Sequence, residues 1–245
     1  MSKTLHGSSF DSAGHAYVYQ VLAFLKGEVR DVDLHLGLLR DAALRFWNKI
    51  IVIEPGDVRE AILSEMKENE CFSQMANYFI LRVFRDGHFD VGFLYHSIYD
   101  TFTLKALHPN SQIVRTSSPL FEFPTSALYE HNMFLRESLL RYGVHVPVCV
   151  DQQGYVTNID GHSPAIIKKR RLFYSTIMED VQMNYLLDVM KRYGIHCEQS
   201  IITESMFMDA DEAMYVNEDG VTALRRCEEH VFGDLIVNAA FKGKV

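Results

Sequence analysis

The chain has 245 residues, of which 48% are hydrophobic and 23% charged, a composition typical of a folded protein with a sizeable core. Its 24 basic and 32 acidic residues give a net charge of −8, and only ten of the basic residues are lysines, which disfavours nucleic-acid binding as the main role. No run reaches the roughly 18 apolar residues that span a bilayer, and the four cysteines form no C-x-x-C pair. We therefore expect a cytoplasmic protein with reduced cysteines, without nucleic-acid or membrane partners.

Apolar periodicity and turn residues predict the elements of the first half in chain order. A strand over 16–25 ends at the Lys26-Gly27-Glu28 turn, and a helix over 33–46 follows with Asp33 as N-cap. A second helix over 58–69 opens with a capping-box pattern at Asp57 and Glu60. Strands over 78–85 and 88–95 and a β segment over 101–107 complete this half. Residues 117–126, which include two prolines, predict an irregular connection.

The second half predicts a helix over 127–142, hairpins over 144–158 and 165–174, a helix over 179–192, a strand over 197–202, a short helix over 204–210, a strand over 213–216 and a final β pair around Val221 and 232–238. The whole pattern is α+β in two lobes. We place an N-terminal α+β lobe at 1–118, the interlobe connection at 119–126 and a C-terminal β-barrel-like lobe with helices at 127–245.

The order and spacing of several stretches resemble one known scaffold. These stretches are 16–21 with Lys26-Gly27 and 34–39, then 78–82, 129–135 with 141–143, 154–157, and 193–195 with 211–213. In this order they are similar to parts of the fold-type IV pyridoxal-phosphate enzymes. The matching parts of that family are its strand, N-G turn and E-H-L-x-R-L helix, its Y-I-R strand, the helix after its catalytic lysine, its G-Y-V-T-E hairpin, and its late helix and strand. That family includes class IV aminotransferases and aminodeoxychorismate lyase. The resemblance implies a two-lobed architecture and a homodimer.

The resemblance places the chemistry of that family at positions where this sequence has other residues. The lysine that forms the Schiff base falls on Thr125 or Pro124, which cannot form an imine. The carboxylate that holds the proton of the pyridine nitrogen falls on Asn158. The arginine that binds the phosphate falls on Leu38, and acidic residues at 179–180 precede the helix start whose amides would bind it. No catalytic residue is assigned, and no bound cofactor is expected.

Five residues remain as candidates to line a ligand cleft: Arg82, Thr125, Ser126, Tyr129 and Asn158. In the family the residues matching Arg82 and Tyr129 lie near the substrate carboxylate and the cofactor hydroxyl, which favours a small anionic molecule as the ligand. The alternative for Arg82 is an exposed strand residue paired with Asp86 or Glu122, and for Tyr129 it is ordinary helix packing.

Other residues that could carry chemistry have simpler interpretations. Lys105 on a predicted strand is interpreted as a solvated edge residue. The basic turn at 168–171 is interpreted as a solvated hairpin tip, or else as a docking point for an acidic partner. The eleven histidines form no H-E-x-x-H or H-x-H motif, so no metal site is predicted.

Three functional hypotheses follow. The first is an aminotransferase-like protein that has lost the cofactor lysine and binds a small molecule or partner without transamination. The second is an active pyridoxal-phosphate-dependent aminotransferase or lyase, acting on an amino acid or amino-chorismate-like substrate through another lysine. The third is a non-catalytic assembly subunit.

Overall fold

The computed structural model describes residues 16–71, 75–99, 102–116, 123–175, 177 and 180–243. The strands are β1 Tyr17–Leu25, β2 Glu28–Val29, β3 Ala76–Phe84, β4 Phe89–Ser97, β5 Thr103–Leu104, β6 Asn110–Arg115, β7 Val146–Val150, β8 Val156–Ile159, β9 Pro164–Lys168, β10 Arg171–Tyr174, β11 His196–Gln199, β12 Glu212–Asn217, β13 Gly220–Ala223, β14 Arg226–Cys227 and β15 His230–Val231. The helices are α1 Val32–Trp47, α2 Pro55–Glu68, α3 Ser126–Leu140, α4 Met183–Arg192, α5 Glu204–Met208 and α6 Leu235–Lys242. The mixture confirms the predicted α+β class.

Three sheets organise the described strands. The first has the order β2-β1-β3-β4, the second β11-β10-β9-β12-β13-β5 and the third β15-β14-β6-β7-β8. Strand β5 pairs with β13, and β6 pairs with β7 and β14, so both join the C-terminal strands. The chain therefore changes sheet between Ser97 and Thr103, earlier than the predicted 119–126 connection, of which residues 119–122 lie outside the described part.

The first sheet buries one face against α1 and α2. Side chains alternate along β1, so Val18, Leu22 and Phe24 point into this core, where residues such as Leu36 and Ile62 meet them. The odd-numbered residues of β1 lie on the opposite face, where the Tyr19 ring contacts α3. This second face forms one wall of the region between the lobes.

The second sheet is apolar on both faces. Ile167 and Met214 pack against α4 and α6, whereas Ile166 and Ala213 pack against the third sheet and α5. A strand that is buried on both faces has a continuous apolar run in its sequence, and such a run predicts a strand from local residues alone. The methionine-rich last third places Met183, Met190 and Met214 in this core.

Several predicted details are wrong for identifiable reasons. Of the predicted final β pair, Val221 lies on β13, but the strand over 232–238 is wrong. Residues 235–238 begin α6, where the buried Glu212 carboxylate accepts hydrogen bonds from the Ile236 and Val237 amides at 2.6 and 3.0 Å. Such a cap comes from a residue distant in sequence and leaves no local signal. Strand β6 was missed altogether.

The two predicted N-caps are also misplaced. Helix α1 has Asp31 as its N-cap, and α2 has Glu54 followed by Pro55. Asp33 and Asp57 lie inside the first turns, where their charges still favour the helix dipole. Among the described helices, none has the length and apolar character that a membrane crossing requires.

Candidate functional site

The segment just before α3 lies along the open edge of β1 and joins the two lobes. Thr125 pairs with Val18, and the Tyr19 amide donates to the Pro124 carbonyl at 2.9 Å. Thr125 is also the N-cap of α3, since its Oγ1 accepts from the Leu128 amide at 3.2 Å. These bonds fix Pro124 and Thr125 at the interlobe boundary.

A small cavity lies where this segment ends, and we call it the inner cavity. Its volume is about 40 Å³, enough for a few water molecules. Its walls come from both lobes: Tyr19, Gln20, Val21, His35, Pro124, Gly161, His162, Asp180, Gln182 and Glu218. Pro124 is one of the two positions that the resemblance gives to the lysine, and Gln182 lies in the segment that it gives to phosphate binding.

A neutral polar chain fills one side of the inner cavity. The His35 Nδ1 atom lies 2.7 Å from Gln20 Oε1, and its Nε2 lies 3.5 Å from Gln182 Nε2. Burial lowers the pKa of His35 to about 4, so the ring is neutral near pH 7. A proton on Nδ1 then donates to Gln20, which leaves Nε2 to accept from Gln182.

Two carboxyl groups, those of Asp180 and Glu218, line the other side of the inner cavity, and Asp160 and Asp219 lie close enough to interact with Glu218 electrostatically. We call these four groups the inner carboxyls. Burial raises the pKa of Asp180 to about 7, although the Gln182 amide donates to its Oδ1 at 2.9 Å and stabilises the carboxylate. Burial likewise raises the pKa of Glu218, whose Oε1 accepts from the Tyr95 hydroxyl at 3.2 Å. Burial in a medium of low dielectric disfavours the charged form of each.

Two cations balance the other inner carboxyls. Arg136 lies 3.0 Å from Asp160, whose pKa burial nevertheless raises to about 7. Lys105 forms an ion pair with Asp219, their side chains being 15% and 9% exposed. The interpretation of Lys105 as a solvated edge residue is therefore wrong, because Lys105 follows the edge strand β5 but its ammonium pairs with Asp219, in the turn between β12 and β13, where both side chains are largely buried.

Three of the five predicted residues meet around two tyrosines of β1. The Tyr129 ring packs edge-on against Tyr19 with centroids 5.6 Å apart, and the Ser126 hydroxyl accepts from the Tyr17 amide at 3.4 Å. The Arg82 guanidinium lies 6.0 Å from the centre of the Tyr17 ring. Thr125 adjoins this group through the pairing described above.

The guanidinium of Arg82 has an ionic partner that the sequence does not predict. Its Nε lies 2.6 Å from an Asp90 carboxylate oxygen on the neighbouring strand. Of the predicted partners, Asp86 accepts the His88 amide in the β3–β4 turn, and Glu122 lies outside the described residues.

The fifth predicted residue, Asn158, is separate from the tyrosine group and fully buried. Its Oδ1 accepts from the Gly161 amide at 2.9 Å, and its Nδ2 donates to Thr157 Oγ1 at 3.3 Å. Asn158 thereby holds the turn that presents Asp160 and Gly161 to the interlobe region.

A larger cleft lies on the outer side of Asp180, and we call it the outer cleft. Its volume is about 340 Å³. It is lined by Leu34, Leu38, Ser163, Tyr174, Ser175, Asp180, Val181, Met183, Asn184, Leu187 and Gln199. Asp180 lines both spaces.

Helices α1 and α4 form two walls of the outer cleft and are tied together beside it. The Tyr185 hydroxyl donates to the Asp31 carboxylate at 2.5 Å, and the Arg30 guanidinium lies 6.0 Å from the same ring. Sequence reasoning missed this cleft. A retrospective signal is the pair Leu34 and Leu38, spaced by one helical turn, with Leu34 54% exposed.

The residues around the inner cavity do not fit pyridoxal phosphate as the resemblance would hold it. Pro124 and Thr125 carry no amine, and Leu38, which lines the outer cleft, replaces the expected arginine. Asp180 and Glu218 line the small cavity, where carboxylates would repel a phosphate. In the described part of the chain, no group of His, Cys, Asp and Glu is arranged to hold a metal ion either.

The fold is that of the fold-type IV aminotransferases and aminodeoxychorismate lyases. No family model and no curated protein matches the sequence. The chain is similar to the fold IV-transaminase of Curtobacterium pusillum, with a TM-score of 0.74 and 15% identity over 93% of this chain and 82% of that one. It is similar to the branched-chain amino acid aminotransferase of Escherichia coli, with a TM-score of 0.70 and 13% identity over 90% and 79%.

A third similar structure comes from Legionella pneumophila and is assigned as a 4-amino-4-deoxychorismate lyase. It has a TM-score of 0.73 and 12% identity over 98% of this chain and 96% of that one. At these identities the likeness establishes the fold alone.

Proposed function

We propose that this chain is a fold-type IV protein that binds a small molecule in the outer cleft without transamination. The observation that carries the proposal is the contrast between the two spaces. The inner cavity has about 40 Å³ and is lined by Pro124, Asp180 and Glu218, whereas the outer cleft beside it has about 340 Å³. The larger volume lies at the lower end of the range of roughly 300–1,000 Å³ that small-molecule sites occupy.

Electrostatics support the absence of the cofactor in this proposal. A phosphate needs amide donors or cations, and here it would approach Asp180 and Glu218 in a region of low dielectric. Binding would require that both carboxyls be protonated. The cations Lys105 and Arg136 are already paired with Asp219 and Asp160.

One observation favours the second hypothesis, an active enzyme that uses another lysine. Lys105 is largely buried, and its charge helps to lower the pKa of His162, which lines the inner cavity. However, an imine forms from an amine that is free to attack the aldehyde, and the Lys105 amine is held in an ion pair with Asp219. We therefore place this hypothesis second.

The decisive experiment treats the purified protein with pyridoxal phosphate and records the absorption spectrum before and after borohydride reduction. We expect no imine band and no lysine that carries a reduced pyridoxyl group in peptide mass spectrometry. A band that is present in the wild type and absent from Lys105→Met would establish the second hypothesis. An exposed lysine, Lys67, provides the matched control variant Lys67→Met.

We further propose a cytoplasmic homodimer, as the resemblance implies. Light scattering after size exclusion tests the dimer, and a monomeric mass would contradict it. Co-purification tests the assembly-subunit hypothesis: a stable partner that survives substitutions in the outer cleft would favour that hypothesis over small-molecule binding.

A further inference from the structure

We infer that the outer cleft selects an organic cation, a primary amine on a short apolar body, with Asp180 as its counter-ion. The inference rests on the proposed function, because it names the ligand class for the same cleft. It makes the ligand opposite in charge to the phosphate that the fold would suggest.

The first argument is the apolar wall. Leu34 and Leu38 of α1 face the cleft together with Met183 and Leu187 of α4. A ligand that covers these side chains removes apolar surface from water. Leu34, which is 54% exposed, contributes the most surface to this burial. The wall therefore fits a hydrocarbon chain or ring.

The second argument is the charge of the lining. Among the described residues that line the outer cleft, Asp180 is the only one with a formal charge. Glu218 lies on the inner side of Asp180 and contributes negative potential, which itself helps to raise the pKa of Asp180. An anionic ligand would meet this potential without a lining cation to offset it, whereas a cation would relieve it.

The third argument is the match of donors and acceptors. An ammonium group carries three N–H donors and no acceptor, so it needs several oxygen atoms around it. The lining includes Asp180, whose Oδ1 also accepts from the Gln182 amide, and Ser175, whose hydroxyl also accepts from the Ile177 amide. Three further lining residues carry a side-chain oxygen: Ser163, Asn184 and Gln199. A hydrogen bond between an ammonium and a carboxylate is stronger than one between neutral groups.

The test is a series of three probes with one hydrocarbon body: n-hexylamine, 1-hexanol and hexanoate. Their affinities for the wild-type protein are measured by titration calorimetry at pH 8, where Asp180 is mostly ionised. We expect hexylamine to bind at least about tenfold more tightly than hexanol, and hexanoate to bind most weakly. If hexanoate binds as tightly as hexylamine, the inference is overturned.

Two variants locate the effect. Asp180→Asn is expected to weaken the affinity for hexylamine about tenfold or more and to change the affinity for hexanol by no more than about twofold. The matched control is Asp188→Asn, an exposed carboxylate on α4, which should change neither. Hexylamine affinity that survives Asp180→Asn would overturn the inference, and the charge series on the wild type decides it even if that variant does not fold.

The experiment separates failure of this inference from failure of the proposed function. If hexanol or hexanoate binds as tightly as hexylamine, the cleft binds small molecules but not through the charge of Asp180. If none of the three binds at millimolar concentration and pyridoxal phosphate forms an imine, both the proposed function and the inference are wrong. If none binds and no imine forms, the inference is also wrong.

Discussion

Removing the buried ion pair between Lys105 and Asp219 tests the interlobe electrostatics most directly. Replacing Lys105 with Met keeps an unbranched apolar side chain but removes its charge. Asp219, with 9% of its side chain exposed, then lacks its cation. The same change removes an attraction that lowers the pKa values of Asp160 and Glu218, so three inner carboxyls are affected at once.

The size and the pH dependence of the effect follow from this geometry. Removing one partner of a buried ion pair costs about 3–5 kcal/mol, and the 15% exposure of Lys105 places our expectation near the lower end, at about 3 kcal/mol. Carboxyls whose pKa is raised by folding contribute stability at low pH that is lost as the pH rises through the folded-state pKa. Removing Lys105 raises these pKa values further, so the loss should be larger at pH 8 than at pH 5.

Urea unfolding followed by circular dichroism at pH 5 and pH 8 measures the loss in the free energy of unfolding. In the double variant Lys105→Met with Asp219→Asn, the isolated carboxylate is gone, and about 1–2 kcal/mol of the loss should return. Lys67→Met on the exposed face of α2 should stay within about 0.5 kcal/mol of the wild type. A loss below about 1 kcal/mol for Lys105→Met at pH 8, or an equal loss at both pH values, would refute the reasoning.

Three further predictions use the same unfolding assay. Gly161→Ala should cost more than Gly27→Ala: the φ angles are +83° and +88°, but only at Gly161 would a Cβ overlap a neighbouring side chain, so equal losses would contradict this. Tyr185→Phe should cost about 1–2 kcal/mol by leaving Asp31 without its donor, and no loss would show that the bond is not stabilising. Asp180→Asn should be more stable than the wild type at pH 8 and lose this advantage at pH 4, because a folded-state pKa of about 7 weakens the wild type as pH rises.

Local signals were sufficient for most of the elements. The turn at Lys26-Gly27 was predicted from residue type, and both residues have positive φ, at 52° and 88°. Helix α3 and the hairpin of β9 and β10 were also predicted close to their observed bounds. Each of these depends on residues that are near one another in the sequence.

The errors arise where distant residues decide the structure. Helix α6 begins on the carboxylate of Glu212, which lies 24 residues before the Ile236 amide that it accepts. Strand β6 forms because β7 and β14 lie on either side of it. A window of a few residues contains neither partner, so propensity alone favoured other assignments.

The candidate site shows the same division. The sequence predicts an interlobe connection that includes residues 124–126, and in the structure Pro124 and Thr125 lie along β1. The outer cleft could not be found in this way, because its walls come from α1, α4 and the ends of three strands. The raised pKa of Asp180 likewise depends in part on the charge of Glu218, a residue that is distant in the sequence.

The charge balance between the lobes bears on the ligand that we infer. Leu38 lies at the outer cleft where the resemblance expects an arginine, and the carboxyls of Asp180 and Glu218 line the inner cavity. Lys105 and Arg136 offset only two of the four inner carboxyls, so a negative potential remains at the wall that both spaces share. A lysine in place of Thr125 would leave these carboxyls where they are, and it would remove the side-chain cap of α3. The ligand preference of this region is therefore set by the carboxyls as a group, and an amine in the outer cleft is the species that lowers their repulsion.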